Sequence, residues 1–171
     1  MPDEYNKKIY KNMKTAIIYA SKHGTTEKVA AKLAEKVGGN VELFSLKNNP
    51  NPDIGGFETV ILGSSIYMGE ALGKMKAFCK TNETILLQKK IALFVCGMHP
   101  DKEQREKELK DAYSDALHEK TLASGFLGGE FLYEKMNFFE RFIVKKIAKT
   151  KENVHQIDWD EIDDFVKKLV L

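Results

Sequence analysis

A short polar segment near the start of the chain combines the residue types that bind phosphate. It follows an apolar run, Ala16–Ala20, and precedes a stretch with helical spacing. The first N–H groups of a helix have no partner within the helix and carry partial positive charge, so they can bind an anion. Three hydroxyls, a glycine that allows a close turn, a lysine and a histidine favour the same interpretation. The segment comprises Ser21, Lys22, His23, Gly24, Thr25 and Thr26. The alternative is an ordinary turn in which a threonine only caps the helix.

Two further polar segments follow apolar runs that are typical of buried strands. Ser64–Gly69 follows Phe57–Gly63, and Gly97–Pro100 follows Ile91–Cys96. In an open parallel sheet, ligands bind outside the carboxyl ends of the strands, where the strand order reverses. If these strands are neighbours, the three polar segments meet at one cleft.

The second and third segments carry side chains that suit a planar ring. Tyr67 offers an aromatic face, and Met68 and Met98 offer polarizable thioethers. The first segment lacks the G-x-G-x-x-G pattern that a dinucleotide site requires. One phosphate, a short polyol and a flat heterocycle describe flavin mononucleotide (FMN). The alternatives are a surface tyrosine and a core methionine. His99 and Cys96 fit a helix entry and a strand end better than catalytic roles, so the sequence predicts no catalytic acid, base or nucleophile.

The elements that must position these segments alternate between strand and helix. Continuous apolar strands predict a parallel sheet covered on both faces, an α/β fold. Apolar spacing predicts helices from Val29 to Val37, around Leu72–Cys79, and over Leu109–Leu117 as one charged helix. Phe126–Tyr133 is interpreted as a fifth strand weakened at its two glycines. The further predicted elements are a second strand at Val41–Phe44 and helices at Phe138–Lys149 and from Trp159, the last with a capping box from Asp158 to Glu161.

The three segments and their spacing resemble the flavodoxin family, and within it the branch that includes menaquinone-dependent protoporphyrinogen dehydrogenase. The motifs are Ser21-x-x-Gly24-x-Thr26 and Gly63–Gly69, and Phe138–Lys149 followed by Asp158-Trp159 is similar to that branch. The resemblance implies a flavodoxin-like three-layer sandwich, with a five-stranded parallel sheet in the order 2-1-3-4-5. It implies phosphate contacts from Ser21, Lys22, His23, Gly24, Thr25 and Thr26, and ring contacts from Ser65, Ile66, Tyr67, Met68, Gly69, Cys96, Gly97 and Met98.

Composition limits the remaining possibilities. The length of 171 residues suits one domain, expected at 13–171 after an N-terminal extension at 1–12. A net charge of +2 does not favour nucleic-acid binding. Cys79 and Cys96 show no metal-binding spacing, and no metal site is expected. The sequence shows no signal peptide and no apolar run that could span a bilayer, so we expect a cytoplasmic protein.

Two relatives of this architecture with other chemistry do not fit the sequence. A receiver domain needs acidic residues after the first and third strands, where this chain has Ser21 and Ser64. A low-molecular-weight phosphatase needs a cysteine nucleophile and an arginine in the first loop, and Ser21–Thr26 contains neither.

Two functions remain open, an FMN-dependent oxidoreductase and an electron carrier for a redox protein partner. The resemblance implies a quinone acceptor and a porphyrinogen substrate for the oxidoreductase. The slightly basic charge argues mildly against a carrier. The aromatic residues and lysines of Phe138–Lys149 could contact the inner face of an anionic membrane. The alternative for this segment is a helix that covers the sheet edge and exposes a basic face.

Overall fold

The computed structural model describes residues 13–148 and 152–170. The expected extension at 1–12 and Lys149 lie outside the described residues. The strands are β1 (Lys14–Ala20), β2 (Asn40–Ser45), β3 (Thr59–Tyr67), β4 (Glu70–Ala71), β5 (Lys90–Cys96), β6 (Thr121–Phe126), β7 (Gly128–Phe131) and β8 (Val154–Ile157). The α-helices are α1 (Thr25–Val37), α2 (Gly73–Leu86), α3 (Lys102–Ala112), α4 (Asp115–Lys120), α5 (Phe138–Ala148) and α6 (Trp159–Val170), with a 3-10 turn at Tyr133–Lys135.

The central sheet has five parallel strands in the order β2-β1-β3-β5-β6. Numbered among themselves, these strands run 2-1-3-4-5, so the predicted order is confirmed. β4 adds a short antiparallel strand to the end of β3. The strand order reverses at β1, because β2 lies on one side of it and β3 on the other. The carboxyl ends of β1 and β3, which pair in parallel, lie beside each other at this point.

Apolar side chains cover both faces of the sheet. Along β1, Ile17 and Ile18 are both fully buried but belong to different core clusters, because successive strand residues point to opposite faces. One cluster includes residues of α1 and α6, and the other includes residues of α2, α3 and α4. The predicted three-layer sandwich is therefore confirmed.

The predicted position of the fifth strand is wrong. The fifth parallel strand is β6, Thr121–Phe126, and the predicted Phe126–Tyr133 contains instead β7, which pairs antiparallel with β8. β6 buries only small residues, Ala123 and Gly125, so its sequence lacks the apolar run of the other strands. The sequence does not predict β8, Val154–Ile157, because an isolated four-residue strand carries almost no periodic signal.

The predicted charged helix over Leu109–Leu117 is also wrong, since it is divided into α3 and α4. Tyr113 has an extended backbone, and the Ser114 hydroxyl accepts a hydrogen bond from Leu117 N–H to begin α4. The Tyr113 hydroxyl lies in the core, 3.1 Å from Leu62 O and 2.7 Å from Phe94 O. These contacts hold the break between the helices against β3 and β5.

Candidate functional site

A cavity of about 350 Å³ lies at the carboxyl ends of β1, β3 and β5. Every residue of the predicted cofactor-binding set lines it except Ser21, Gly24 and Thr26. The expectation that the three polar segments meet at one cleft therefore agrees with the geometry. A larger cavity of about 560 Å³ lies on the other side of Gly97–His99, but it does not reach the first polar segment.

The first polar segment forms a compact loop that is tied to β3. Gly24 precedes α1 with φ 100°, and its N–H donates to the Ser21 hydroxyl at 3.0 Å. The N–H of Lys22 donates to the Ser65 hydroxyl at 3.2 Å, and Ser65 also shares a 2.7 Å hydrogen bond with the Thr26 hydroxyl. Ser21 and Thr26 thus shape the loop, while Lys22, His23 and Thr25 face the cavity.

The second polar segment differs from the prediction, because β3 does not end at Gly63. The strand continues through Tyr67, and the turn to β4 contains only Met68 and Gly69. Met68 has φ 52°, a conformation uncommon for a residue with a side chain, and 72% of its surface is exposed. The Lys22 ammonium lies 4.2 Å from the centre of the Tyr67 ring, which joins the first two segments by a cation–π contact.

The third polar segment leaves β5 through a closely packed glycine. A side chain at Gly97 would begin 2.9 Å from the Phe126 ring and 3.3 Å from Ile66 Cβ. The Gly97 N–H donates to Gly128 O at 3.0 Å, so the segment is anchored to β7. His99 accepts a hydrogen bond from Asp101 N–H through Nδ1, which fits its expected place at a helix entry.

Burial keeps both cysteines protonated. Burial raises the pKa of Cys96 to about 12, and it raises the pKa of Cys79 to about 12 as well. A thiol with such a pKa contains almost no thiolate near neutral pH, so neither cysteine suits a nucleophilic role.

We expect both thiols of the folded protein to resist Ellman's reagent at pH 8. After unfolding in guanidinium chloride, both should react at the rate of a free cysteine, because their pKa values return to about 8.5. Absorbance at 412 nm measures the reaction. Rapid labelling of the folded protein would contradict the buried placement of Cys79 and Cys96.

Three carboxylates that could not be recognised from the sequence line the cavity. Glu108 comes from α3, Glu130 from β7 and Glu140 from α5, and each is buried or nearly so. Further wall residues that were missed are Phe131, Met136, Ile143 and Val144. The helix predicted at Phe138–Lys149 is present as α5, but periodicity alone could not tell that one side of it faces the cavity.

Glu140 connects α5 to the first polar segment. Its carboxylate lies 3.6 Å from Lys22 Nζ and 3.4 Å from His23 Nε2, and its side chain is 6% exposed. Glu140 and Asn137 also form a reciprocal capping box, with both bonds at 2.9 Å. Burial alone would raise the pKa of Glu140, but the Asn137 N–H, His23, Tyr67 and Lys22 together hold it below the usual value.

Glu130 connects β7 to α1 in a similar way. Its carboxylate lies 2.9 Å from Lys28 Nζ and 2.6 Å from His155 Nδ1, and it accepts a 3.3 Å hydrogen bond from the Thr25 hydroxyl. Burial opposes ionisation, but His155 and Lys28 lower the pKa of Glu130 below its usual value. Two carboxylates therefore hold β7 and α5 against the loop and helix that follow β1.

We expect the free energy of unfolding to fall as the pH drops through and below about 4.5, the ordinary glutamate value. The folded-state pKa values of Glu130 and Glu140 are depressed, so the folded state binds fewer protons than the unfolded state in this range. Their stabilisation is complete above the unfolded pKa and is lost as the pH falls through the folded one. Urea unfolding at pH 7 and pH 4 measures the loss, which should be smaller in Glu140→Gln. An equal loss in both proteins would contradict the assigned role of Glu140.

Among the described residues, no helix has the length and apolar character needed to cross a bilayer. The most exposed large apolar side chains of α5 are Phe138, at 89%, and Phe139 and Phe142, each at 59%. They lie on the outside of a helix whose Glu140 and Val144 face the cavity. Helix α5 therefore separates the cavity from an aromatic outer surface.

Comparisons with known proteins agree with this fold. A flavodoxin domain family model matches residues 16–158. Protoporphyrinogen IX dehydrogenase (quinone) from Escherichia coli strain K12 is 20% identical and covers 92% of this chain and 94% of its own. Oxidised flavodoxin 1 from Bacillus cereus superposes with a TM-score of 0.55 at 17% identity, over 92% of this chain and 97% of the other. A flavoprotein from Lactobacillus acidophilus NCFM, solved in complex with FMN, has a TM-score of 0.52 at 16% identity, over 68% and 93% of the two chains.

The matched range contains the five parallel strands and the three polar segments that surround the cavity. Sequence motif, strand order and family model thus lead to the same result. The resemblance predicted from the sequence is confirmed, and the chain belongs to the flavodoxin domain family.

Proposed function

We propose that the cavity binds FMN non-covalently and that the protein is an FMN-dependent oxidoreductase similar to protoporphyrinogen dehydrogenase. The observation that carries the proposal is the meeting of three polar segments at the carboxyl ends of β1, β3 and β5 in one cavity. The cavity volume falls within the range of small-molecule and cofactor sites. The proposed FMN contacts are the residues of the predicted set, and the Lactobacillus relative holds FMN.

The first polar segment fits a phosphate group. His23 Nε2 is buried and has no hydrogen-bond partner among the described residues. Lys22 and His23 lie more than 3.3 Å from Glu140, too far for short hydrogen bonds, so their donors remain available to phosphate oxygens. The N–H groups at the start of α1 and the Thr25 hydroxyl add donors at the same end of the cavity.

Other walls of the same cavity fit a flat ring. Ile66, Met98, Ile143 and Val144 provide apolar surface, and Tyr67 provides an aromatic face. FMN supplies the electron-transfer chemistry when it is bound. The role of the chain is to position the ring, exclude water from part of it through α5 and β7, and set the charge around it through Lys22, Glu130 and Glu140.

A porphyrinogen donor and a quinone acceptor are proposed because the Escherichia coli relative, a protoporphyrinogen IX dehydrogenase (quinone), is similar over nearly the whole chain. Anaerobic addition of protoporphyrinogen should bleach the flavin absorption of the wild-type protein, and a menaquinone analogue should restore it. Bleaching at a rate no greater than that of free FMN would contradict the enzymatic role.

An electron carrier remains the second candidate, and the exposed aromatic surface of α5 beside the cavity suits docking of a redox protein. A carrier would exchange electrons with a reductase at a rate that depends on this surface and would leave protoporphyrinogen unchanged. Two anaerobic samples separate the functions. Dithionite-reduced protein should be reoxidised by the acceptor in either case, whereas only the enzyme should be reduced when protoporphyrinogen is the sole electron donor.

We also propose that the outer surface of α5 contacts an anionic membrane. Phe138, Phe139 and Phe142 are exposed beside Lys145 and Lys146, the combination found on helices that lie in a membrane interface. Flotation with vesicles containing phosphatidylglycerol should recover the wild-type protein but little of the variant Phe138→Ser/Phe142→Ser. Leu43→Ser, which removes an exposed apolar residue (44%) on β2, away from α5, is the control. Equal flotation of the two variants would contradict membrane contact through α5.

A further inference from the structure

Three buried side-chain atoms lack a hydrogen-bond partner among the described residues, and all three belong to residues that line the proposed flavin cavity. They are His23 Nε2, Glu108 Oε2 and Glu140 Oε1. Buried polar groups are nearly always hydrogen-bonded, because an unsatisfied one loses its hydration without compensation. Glu140 Oε1 lies 3.6 Å from Lys22 Nζ, so the atoms that indicate a ligand partner are His23 Nε2 and Glu108 Oε2.

Glu108 differs from the other two residues in forming no salt bridge among the described residues, although its charge acts at longer range on the neighbouring Lys107. His23 and Glu140 lie beside each other, and Glu140 also faces Lys22. Glu108 is 5% exposed, yet no hydrogen bond or ion pair to its carboxylate comes from the part of the chain that the structure describes. Burying an unpaired carboxylate costs much more than burying a neutral polar group. In the ligand-free protein, no group among the described residues offsets this free-energy cost. Because Glu108 lines the cavity, a bound molecule can offset it.

The position of Glu108 limits the chemistry of its partner. It lies on α3, which follows the third polar segment along the chain, whereas Glu140 lies beside Lys22 and His23 of the first polar segment. An ionised carboxylate accepts hydrogen bonds but cannot donate one. A ligand that pairs with the ionised form of Glu108 therefore presents a donor to it.

We propose that Glu108 accepts a hydrogen bond from a ring N–H of the bound ligand. This inference rests on the proposed function, because it places a flat N–H-bearing ring in the same cavity. Two rings share that chemistry, the FMN isoalloxazine, which carries one N–H at its polar edge, and a pyrrole-bearing second substrate. The observations favour the FMN ring, since Glu108 lines the cavity that also contains the proposed phosphate site.

The stability of the ligand-free protein tests the premise without any cofactor. Glu108→Leu replaces the unpaired carboxylate with an apolar side chain that fills much of the same space. We therefore expect the Tm of this variant to rise by about 4 °C. The control is Glu103→Leu on the exposed side of the same helix, with a change of about 1 °C or less. A lower Tm for Glu108→Leu would overturn the inference, because it would show that the carboxylate has a stabilising partner within the protein.

Ligand affinity tests the hydrogen bond itself. Fluorescence titration should show FMN binding about tenfold weaker in Glu108→Leu, and nearly unchanged in Glu108→Gln, which keeps an acceptor oxygen. The wild-type protein should bind 3-methyl-FMN, which lacks the N–H, about tenfold more weakly than FMN. Glu108→Leu should add no further loss with that analogue, because the bond is already absent.

A second probe, protoporphyrin IX, identifies the donor. Unchanged FMN affinity with weaker protoporphyrin binding in Glu108→Leu would support the inference and assign the N–H to the second substrate. Unchanged affinity for both probes would overturn the inference while the proposed function stands. Failure of the wild-type protein to bind either probe would overturn both, so the two failures are distinguishable.

Discussion

Gly24→Val should weaken FMN binding about a hundredfold while the protein still folds. Gly24 has φ 100°, a backbone conformation that a β-branched residue essentially does not adopt. Holding valine there would cost about 1–3 kcal/mol, so the loop is expected to relax into another conformation. A hundredfold loss corresponds to about 2.8 kcal/mol, which is within reach of that strain together with misplaced donors.

The relaxed loop would lose its phosphate-binding geometry. The Gly24 N–H donates to Ser21, and the Lys22 N–H donates to Ser65, so a changed turn would move both bonds and redirect the N–H groups at the start of α1. A valine Cβ at position 24 would not clash with its surroundings. The nearest atom would be Lys135 Nζ, the end of a flexible side chain, at 3.6 Å. The expected effect therefore comes from backbone conformation and not from steric blocking of the cavity.

Fluorescence titration of FMN measures the effect, with Gly38→Val as the matched control. Gly38 ends the same helix with φ 66°, and no atom lies within 4 Å of the point where a Cβ would be, so its replacement tests strain alone at the far end of α1. The control should lower Tm but leave FMN affinity within about threefold. Equal losses of affinity in the two variants would show that the first polar segment does not bind the phosphate.

The parts of the site that local chemistry determines could be predicted from the sequence. The Ser21–Thr26 loop needs a glycine at its turn, hydroxyls nearby and a following helix, and all of these lie within a few adjacent residues. The strand order followed from the family resemblance, and the position of the loop after a central apolar strand placed it at the sheet edge. For these features, short sequence separation and a recognisable motif supply the necessary information.

The far walls of the cavity could not be predicted in the same way. Glu140 lies well over a hundred residues from Lys22 along the chain, yet the two side chains form an ion pair. Glu108 belongs to a helix whose charged sequence gives no indication that one of its carboxylates is buried. Such contacts depend on how α3 and α5 pack, and neither periodicity nor capping residues determine that packing.

The misplaced fifth strand has a specific physical cause. Gly128 and Gly129 suggest a bulge within one strand, but Gly128 has φ 73° and begins a separate hairpin strand. β6 itself buries only Ala123 and Gly125, so the apolar run that marks the other central strands is missing. From the sequence alone, the turn glycine Gly128 cannot be distinguished from a glycine at a bulge within a strand. β6 is not recognised because it buries no large apolar side chain.

Gly128→Ala should lower the free energy of unfolding by about 3 kcal/mol. A Cβ at this position would lie 2.0 Å from Gln156 O and 2.8 Å from Asp158 N, both backbone atoms that cannot move without opening the pairing of β7 with β8. The positive φ adds strain for any residue with a side chain. Thermal unfolding should show Tm lower by roughly 6–12 °C, with Gly56→Ala as the control because no atom lies within 4 Å of a Cβ there.

The same substitution should also weaken FMN binding, although Gly128 does not line the proposed FMN cavity. The Gly97 N–H donates to Gly128 O, so a displaced hairpin would move the third polar segment with it. Glu130, two residues further along β7, would lose its bonds to Lys28 and Thr25 and loosen the start of α1. Both ends of the ligand would then be held less firmly, and we expect a loss of affinity of about tenfold or more. A variant that unfolds at the lower temperature but binds FMN as tightly as the wild type would contradict this coupling, because it would mean that the β7–β8 hairpin stabilises the fold without shaping the site.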